Sequence, residues 1–567
     1  MTNTKRILSV FAVLAMLMPL SSALQNSAEA AGLPEMAQCD GPECESITEI
    51  HTIGQAIGDY VSVGVLDGLG AYELNKSTVR VFANHELGAG DGNSYQVDNG
   101  MGGTFSLTGA RVSYFDINKD TRQIVDSGVA YNRIYDANGN IAADASLLSN
   151  DFPGFSRFCS ANLFEPYEFG GKRGIEDRIF MTNEEDGGSF NPVGGAFWAI
   201  DPETHSIWHV PDLGRGSWES STQVDTGSSK LVAFILSDDT SPFDADGDGQ
   251  DEAAPLYLYV GEKKPDSSDF LERNGLRGGS LYVWVSDTGE RTPLDFNTSG
   301  SLKGKWMKLD TSKGAPSENG STGYDEYGNP TQRNLWTQAE ALGAFGFSRP
   351  EDVATNPRDG RQVVLASTGV DTYAVNPAGN GADTFGTIYL IDTDVKKLTG
   401  KVTIAYDGDA DPARQLRSPD NLDWADNGFV YVQEDKAEDD TLTGEVLFGA
   451  GAANPNEASI VKLDPKKGTI TRIAEIDRSV VLDPTTAGAP VDKIAADAGG
   501  WETSGIVDVS SLFGQKKGTL FLFDVQAHGI TDQDTVNADS RIRDHDLKEG
   551  GQLLFLELQD RRPNGDN

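Results

Sequence analysis

Past residue 45 the chain is written in short apolar runs separated by Gly, Asp, Asn and Pro. Residues 78–83 (TVRVFA), 111–116 (RVSYFD), 230–236 (KLVAFIL), 256–260 (LYLYV) and 280–285 (SLYVWV) are such runs. The series continues through 362–366 (QVVLA), 429–432 (FVYV) and 519–523 (TLFLF). β-Branched and aromatic residues at period two, bounded by turn formers, predict strands. Helical periodicity is nearly absent, and one short helix is expected after Thr337, from Gln338 to Leu342.

One unit recurs. Residues 196–202 (AFWAIDP) precede 206–210 (SIWHV), 387–393 (TIYLIDT) precede 401–405 (KVTIA), and 459–465 (SIVKLDP) precede 469–474 (TITRIA). Each is a strand ending in Asp, a tight polar turn and an antiparallel partner, the pattern expected of the inner hairpin of a propeller blade. A β-sandwich array also fits short strands, but the wide, regular spacing favours the propeller. The expected architecture is all-β: a single β-propeller over residues 31–567 with acidic, glycine-rich loop insertions near 238–254 and 308–334. Both insertions read as exposed excursions.

The N-terminus changes the picture of where such a propeller works. Lys5 and Arg6 precede an apolar stretch from Ile7 to Leu24, and Ala28-Glu29-Ala30 supplies a small-x-small cleavage pattern. That is an export signal over residues 1–30 rather than an anchor, because Pro19 and the serines after it break the run. Lys5-Arg6 is not a twin-arginine pair, so the general secretory route is expected. The mature chain is then soluble, off the membrane, and secreted: periplasmic, at the cell surface or extracellular. A formal charge of −41 repels nucleic acid and suits divalent cations among carboxylates. Of three cysteines, Cys39 and Cys44 are close enough to pair in an oxidising compartment, which leaves Cys159 over.

Candidate chemistry is acidic. Asp244, Asp246 and Asp248, with Gly249 following, form the front of a calcium loop. Pro255 stands where an EF-hand places its closing Glu, so Asp251 or Glu252 is expected to close this loop, which is read as structural. Polar clusters follow other strands: Asn84-His85-Glu86, Asn183-Glu184-Glu185, Trp218-Glu219, Ser237-Asp238-Asp239, Ser348 to Asp352, Ser418-Pro419-Asp420-Asn421 and Trp501-Glu502. Together they repeat one chemistry, a carboxylate beside a buried strand. No G-x-S-x-G elbow and no phosphate loop of the G-x-x-x-x-G-K type is present.

Taken in order, Asn84-His85-Glu86, Leu213-Gly214-Arg215 leading to Glu219, Asp238-Asp239, Arg349-Pro350-Glu351, Ser418 to Asn421 and the closing Gly550 to Leu554 resemble the landmarks of the PhoX-type alkaline phosphatases. That resemblance implies a β-propeller with calcium and iron, Ca²⁺ and Fe³⁺, on its axis, cleaving small phosphate monoesters. It gives Cys159 the part of a thiolate on iron. Glu184 or Glu185, Glu219 and Glu351 become metal ligands, and Arg349 a phosphate clamp beside Glu351 at the catalytic position. His85, Glu86, Asp238 and Asp239 become supporting metal-site residues. The expected function is a secreted, metal-dependent phosphatase acting as a monomer. Two other readings remain open at the level of sequence: a calcium-stabilised propeller that binds without catalysis, and a phytase-like or lactonase-like propeller hydrolase. Loss of Cys159 and Arg349 separates them, since a scaffold needs neither.

Overall fold

A computed structural model of the chain describes residues 34–148, 154–188, 191, 193–296, 300–370, 383–436, 444–482, 492–531 and 547–559. The expected signal, residues 1–30, lies outside the described residues. Among the described residues no helix is long and apolar enough to cross a membrane.

The strands assemble into six antiparallel blades. Their innermost strands are Leu66–Asn75, Asn162–Phe164, Trp218–Gln223, Pro350–Thr355, Pro419–Trp424 and Glu502–Asp508. Each packs beside the next and the sixth beside the first, so the six ring one axis. The second, third and fourth strands of each blade step outward by antiparallel pairing. Blades three and four are further joined by Ser301–Lys308, which pairs with Ser280–Ser286 on one side and Thr399–Asp407 on the other.

Six buried clusters fill the six gaps between blades, one per gap. Successive side chains of a strand face opposite gaps: Val363 and Leu365 look towards blade three, Val364 and Ala366 towards blade five. Every central strand is therefore buried on both faces. This is why residues 231–236 read as a continuous apolar run rather than an alternating one.

The recurring Asp-turn unit is the outer hairpin of blades two, four and five, not the inner one: Phe197–Asp201 with Ser206–His209, Thr387–Asp394 with Thr399–Asp407, and Ser459–Asp464 with Thr469–Ile476. The helix is longer than expected, Gln332–Leu342, because the Thr331 side chain accepts from the Asn334 N–H and begins it a turn and a half early. Nor is the 308–334 insertion a free excursion. Its Asp325 is fully buried and accepts from Arg215 Nε at 3.0 Å.

The ring is closed by the N-terminal segment. Cys44–Thr52 pairs with Glu549–Leu558 as the outer strand of blade six, and Ala37–Cys39 pairs with Thr469–Ile476 at the rim of blade five. The Cys39–Cys44 disulfide links these two strands, and Cys159 is free and buried.

Candidate metal centre

At one mouth of the axis each inner strand opens on the same triplet: a corner residue, a buried apolar residue and a ligand-type side chain. The triplets are Val65-Leu66-Asp67, Arg157-Phe158-Cys159, Ser217-Trp218-Glu219, Arg349-Pro350-Glu351, Ser418-Pro419-Asp420 and Gly500-Trp501-Glu502. In blades one, two, four and five the corner residue is left-handed, with φ of 54°, 46°, 54° and 40°. Non-glycine residues hold such angles at a cost of about 1–3 kcal/mol each. The apolar residue anchors in the blade, and period two then turns the third towards the axis.

A second set comes from the ends of the second strands. In Asn84-His85-Glu86, Asn183-Glu184-Glu185, Ser237-Asp238-Asp239, Gln433-Glu434-Asp435 and Gln526-Ala527-His528, the first residue braces the centre. Asn84 donates to the Cys159 carbonyl, Asn183 to the Trp218 carbonyl at 2.6 Å, and Gln433 to the Ser504 carbonyl at 3.0 Å. The third residue reaches the axis. The middle one faces away, which places the candidates His85, Glu184 and Asp238 in the walls rather than on the axis.

His85 lies between the Gly64 carbonyl (3.0 Å) and Ser113 Oγ (2.6 Å), and burial pulls its pKa down to about 3, so it is neutral. Glu184 accepts from the Ser156 and Ala196 N–H groups and from Trp198 Nε1, each at 3.2 Å. Asp238 accepts from the Ser217 N–H, Thr240, Gln332 Nε2 and Trp336 Nε1. These three brace the walls. Glu185, Asp239 and Glu86 point inward.

The inward side chains form four overlapping groups whose donor atoms lie within 4.8 Å of one another: Asp67, Glu86 and Cys159; Cys159, Glu185 and Glu219; Glu219, Glu351 and Asp420; Asp420, Asp435 and Glu502. Each group shares a residue with the next. Burial first, and then neighbouring carboxylates, pushes Glu219, Asp420 and Glu502 well above the usual carboxylate range and Asp67 up to about 7. Glu351 is raised likewise, by burial and then by Asp239, against the pull of Arg349. The Cys159 thiol, 3.2 Å from Asp67 Oδ2, is raised by burial and the same charges.

Glu219 Oε2, Asp420 Oδ1 and both oxygens of Asp524 are buried with no hydrogen-bond partner. Buried carboxylate oxygens without donors need a proton or a cation. The oxygen-only groups suit hard ions such as Ca²⁺, and the two groups that share Cys159 suit a thiolate-accepting transition metal. The donor set fits a multinuclear metal centre.

Without metal, the strain has a pH signature. Asp67 and Asp238 sit at about 7, Asp352 at about 6 and Asp423 at about 8, all raised first by burial. The folded state thus binds more protons than the unfolded chain. Stability is full below the unfolded carboxylate pKa of about 4 and falls as pH rises through 6 to 8. Chelator-treated protein is expected to show a higher urea midpoint at pH 5 than at pH 8; the reverse order contradicts the burial of these acids.

A cavity of about 500 Å³ opens beside the centre, lined by Arg157, Glu185, Ser217, Asp239, Phe243 and Arg349 among others. Arg349 holds Asp239 with Nε at 2.9 Å and Nη2 at 2.7 Å, and Nη2 lies 3.4 Å from Glu351. Arg157 Nη2 bridges Glu86 at 2.7 Å and Glu185. The acidic loop stands apart from the axis. Asp244, Asp246 and Asp248 cluster there, while Glu252 turns back to accept from the Ala245 N–H at 2.6 Å and Asp251 is exposed.

Sequence reasoning placed Cys159, Glu185, Glu219, Glu351, Glu86, Asp239 and Arg349 in the centre or on its cavity. It did not assign Asp67, Asp420, Asp435, Glu502 or Arg157. The repeated corner–apolar–ligand triplet is the signal that finds all six axial positions beyond any single motif.

Acids, a thiol and two guanidiniums gather at this one axial mouth. The chain is similar to the alkaline phosphatase PhoX family, whose model matches residues 200–479. Among solved structures, Pseudomonas fluorescens PhoX in complex with vanadate, a transition state analogue, is 15% identical, covering 93% of this chain and 99% of that one with a TM-score of 0.58. That identity bears on the fold alone. A GH43 β-1,3-galactosidase (8% identical, 76% of this chain and 95% of that one, TM-score 0.29) and Kuenenia stuttgartiensis hydrazine synthase (10%, 87% and 48%, TM-score 0.30) align too loosely to inform the site. No curated protein matches the chain.

Proposed function

We propose that this chain is an exported phosphatase that hydrolyses small phosphate monoesters with calcium and iron held at the axial centre. One observation carries the reading: four overlapping ligand groups surround carboxylate oxygens that no protein donor satisfies. In this reading Cys159, Glu185 and Glu219 hold iron, and the oxygen-only groups around Glu351, Asp420 and Glu502 hold calcium. Bound there, the metals supply positive charge to the phosphoryl oxygens as negative charge develops.

The chain's own residues orient the substrate. Asp239 fixes the Arg349 guanidinium through Nε and Nη2, which leaves Nη1 to donate to a phosphate oxygen. Arg157, held by Glu86 and Glu185, also lines the cavity and donates to the phosphate as well. Glu351 keeps Arg349 from swinging out and presents its carboxylate to the centre. The acidic loop at Asp244, Asp246 and Asp248 is read as a separate, structural calcium position. The signal-like N-terminus and the Cys39–Cys44 disulfide support an oxidising location outside the cytoplasm, where a monomer is expected.

The test is metal content together with hydrolysis of p-nitrophenyl phosphate at alkaline pH, for wild type and Cys159→Ala. Iron plus calcium in wild type, with iron and turnover both lost in the variant, is the expected result. Calcium without iron, and no turnover in either protein, overturns it and leaves a metal-bound propeller without this chemistry. Arg349→Lys keeps the charge but loses the fork; kcat/KM is expected to fall roughly a hundredfold, the scale of about 3 kcal/mol of lost orientation and charge stabilisation.

A further inference from the structure

In the phosphatase reading the phosphate binds to Arg157 and Arg349, two of the residues lining the 500 Å³ cavity. The remaining wall is of a different kind. Thr240, Pro242 and Phe243 line it, and Phe243 is its one aromatic residue among the described lining. Phe243 is half-buried rather than a core residue. Its backbone is pinned by a two-way bridge to Glu252, with N–H to carbonyl distances of 3.2 and 3.1 Å. Its ring rests against Trp336, with centroids 4.6 Å apart, and Arg333 lies 5.3 Å from the ring centre. A ring already held in place costs little further ordering when a ligand meets it.

Resting on the phosphatase reading, we infer that Phe243 is a specificity residue: the cavity takes phosphate monoesters whose leaving group carries an aromatic ring, aryl or nucleoside, in preference to polyol phosphates. The guanidiniums fix the phosphate, and the leaving group extends along the Thr240–Phe243 wall, where an aromatic ring gains contact with Phe243 that a hydrated polyol does not.

The test compares kcat/KM for phenyl phosphate, adenosine 5′-monophosphate and glycerol 2-phosphate in wild type, Phe243→Ala and Phe243→Tyr. Phe243→Ala is expected to lose about five- to tenfold on the two aromatic esters, the scale of one aromatic contact, and less than about twofold on glycerol 2-phosphate. Phe243→Tyr is expected to retain the preference. Equal losses on all three esters, or no change on any, overturn the inference. Calorimetry with phenylphosphonate and methylphosphonate separates it from the reading it rests on. If wild type hydrolyses none of the esters yet prefers phenylphosphonate, and Phe243→Ala erases that preference, the hydrolytic reading fails and the aromatic subsite stands. If wild type does not discriminate the phosphonates, the subsite itself is wrong.

Discussion

Glu219→Gln is expected to abolish turnover while making the metal-free protein more stable. Glu219 belongs to two of the four ligand groups, so a single substitution weakens two adjoining metal positions. Its Oε1 accepts from the Ser160 N–H at 3.2 Å, a bond an amide oxygen retains. Its Oε2 is buried without a partner, and Glu185 and Asp67 add to the burial that raises its pKa. An amide at that position has no carboxyl group whose ionisation burial and the surrounding acids oppose, and it offers N–H donors to those acids. Turnover is expected to fall roughly a thousandfold, with bound metal reduced, because charge stabilisation by metals is worth several kcal/mol. In the presence of chelator, the urea midpoint at pH 8 is expected to rise above that of wild type, by about 1 kcal/mol of relieved repulsion. Unchanged turnover with full metal content sinks the assignment of Glu219 to the centre.

Arg417→Ala is expected to be the most destabilising single substitution outside that centre. Arg417 and Glu434 form an ion pair with both side chains fully buried. Arg417 donates to Glu434 through Nε at 3.0 Å and Nη2 at 2.7 Å, and Nη1 donates to the Asn454 carbonyl at 2.7 Å. The guanidinium also sits 3.8 Å over the Phe448 ring. Removing one partner leaves a buried carboxylate uncompensated, which costs about 3–5 kcal/mol. Arg417 adjoins the Ser418-Pro419-Asp420 corner, and Glu434 precedes Asp435. The pair therefore pins both ligand-bearing ends of blade five. Unfolding in urea with metal present should show the loss, and metal content should drop with it. The double substitution Arg417→Met with Glu434→Leu should recover much of the stability but not the lost metal, since it fills the space without fixing the corners. A single Arg417→Ala protein as stable as wild type contradicts the buried-pair account.

The strands that carry the propeller's mass were legible because interblade packing selects apolar, β-branched runs. The strands that line its axis were not. Trp218–Gln223 (WESSTQ), Pro419–Trp424 (PDNLDW) and Glu502–Asp508 (ETSGIVD) are polar because they face the axis, and by hydrophobic pattern they look like loops. The outer hairpins, closed by Asp at a tight turn, are the more regular signal and so were mistaken for the inner ones. Within the centre, the odd cysteine and the acid pairs were visible, but pairs such as Glu184-Glu185 and Asp238-Asp239 cannot be split by composition. Only strand register decides which of two neighbouring acids faces inward. Arg157 was missed because its corner carries no apolar run to mark the strand that follows.

Closure of the ring has a consequence for the order in which the chain can fold. The sixth blade needs Glu549–Leu558 from late in the chain before Cys44–Thr52, from its beginning, has a partner. Until that late strand emerges, Cys44–Thr52 has no partner and blade six lacks its two outer strands. A strand from the start of the chain therefore waits for one from near its end, and closure of the ring is a late, long-range step of folding. The Cys39–Cys44 bond then latches the two rim strands together.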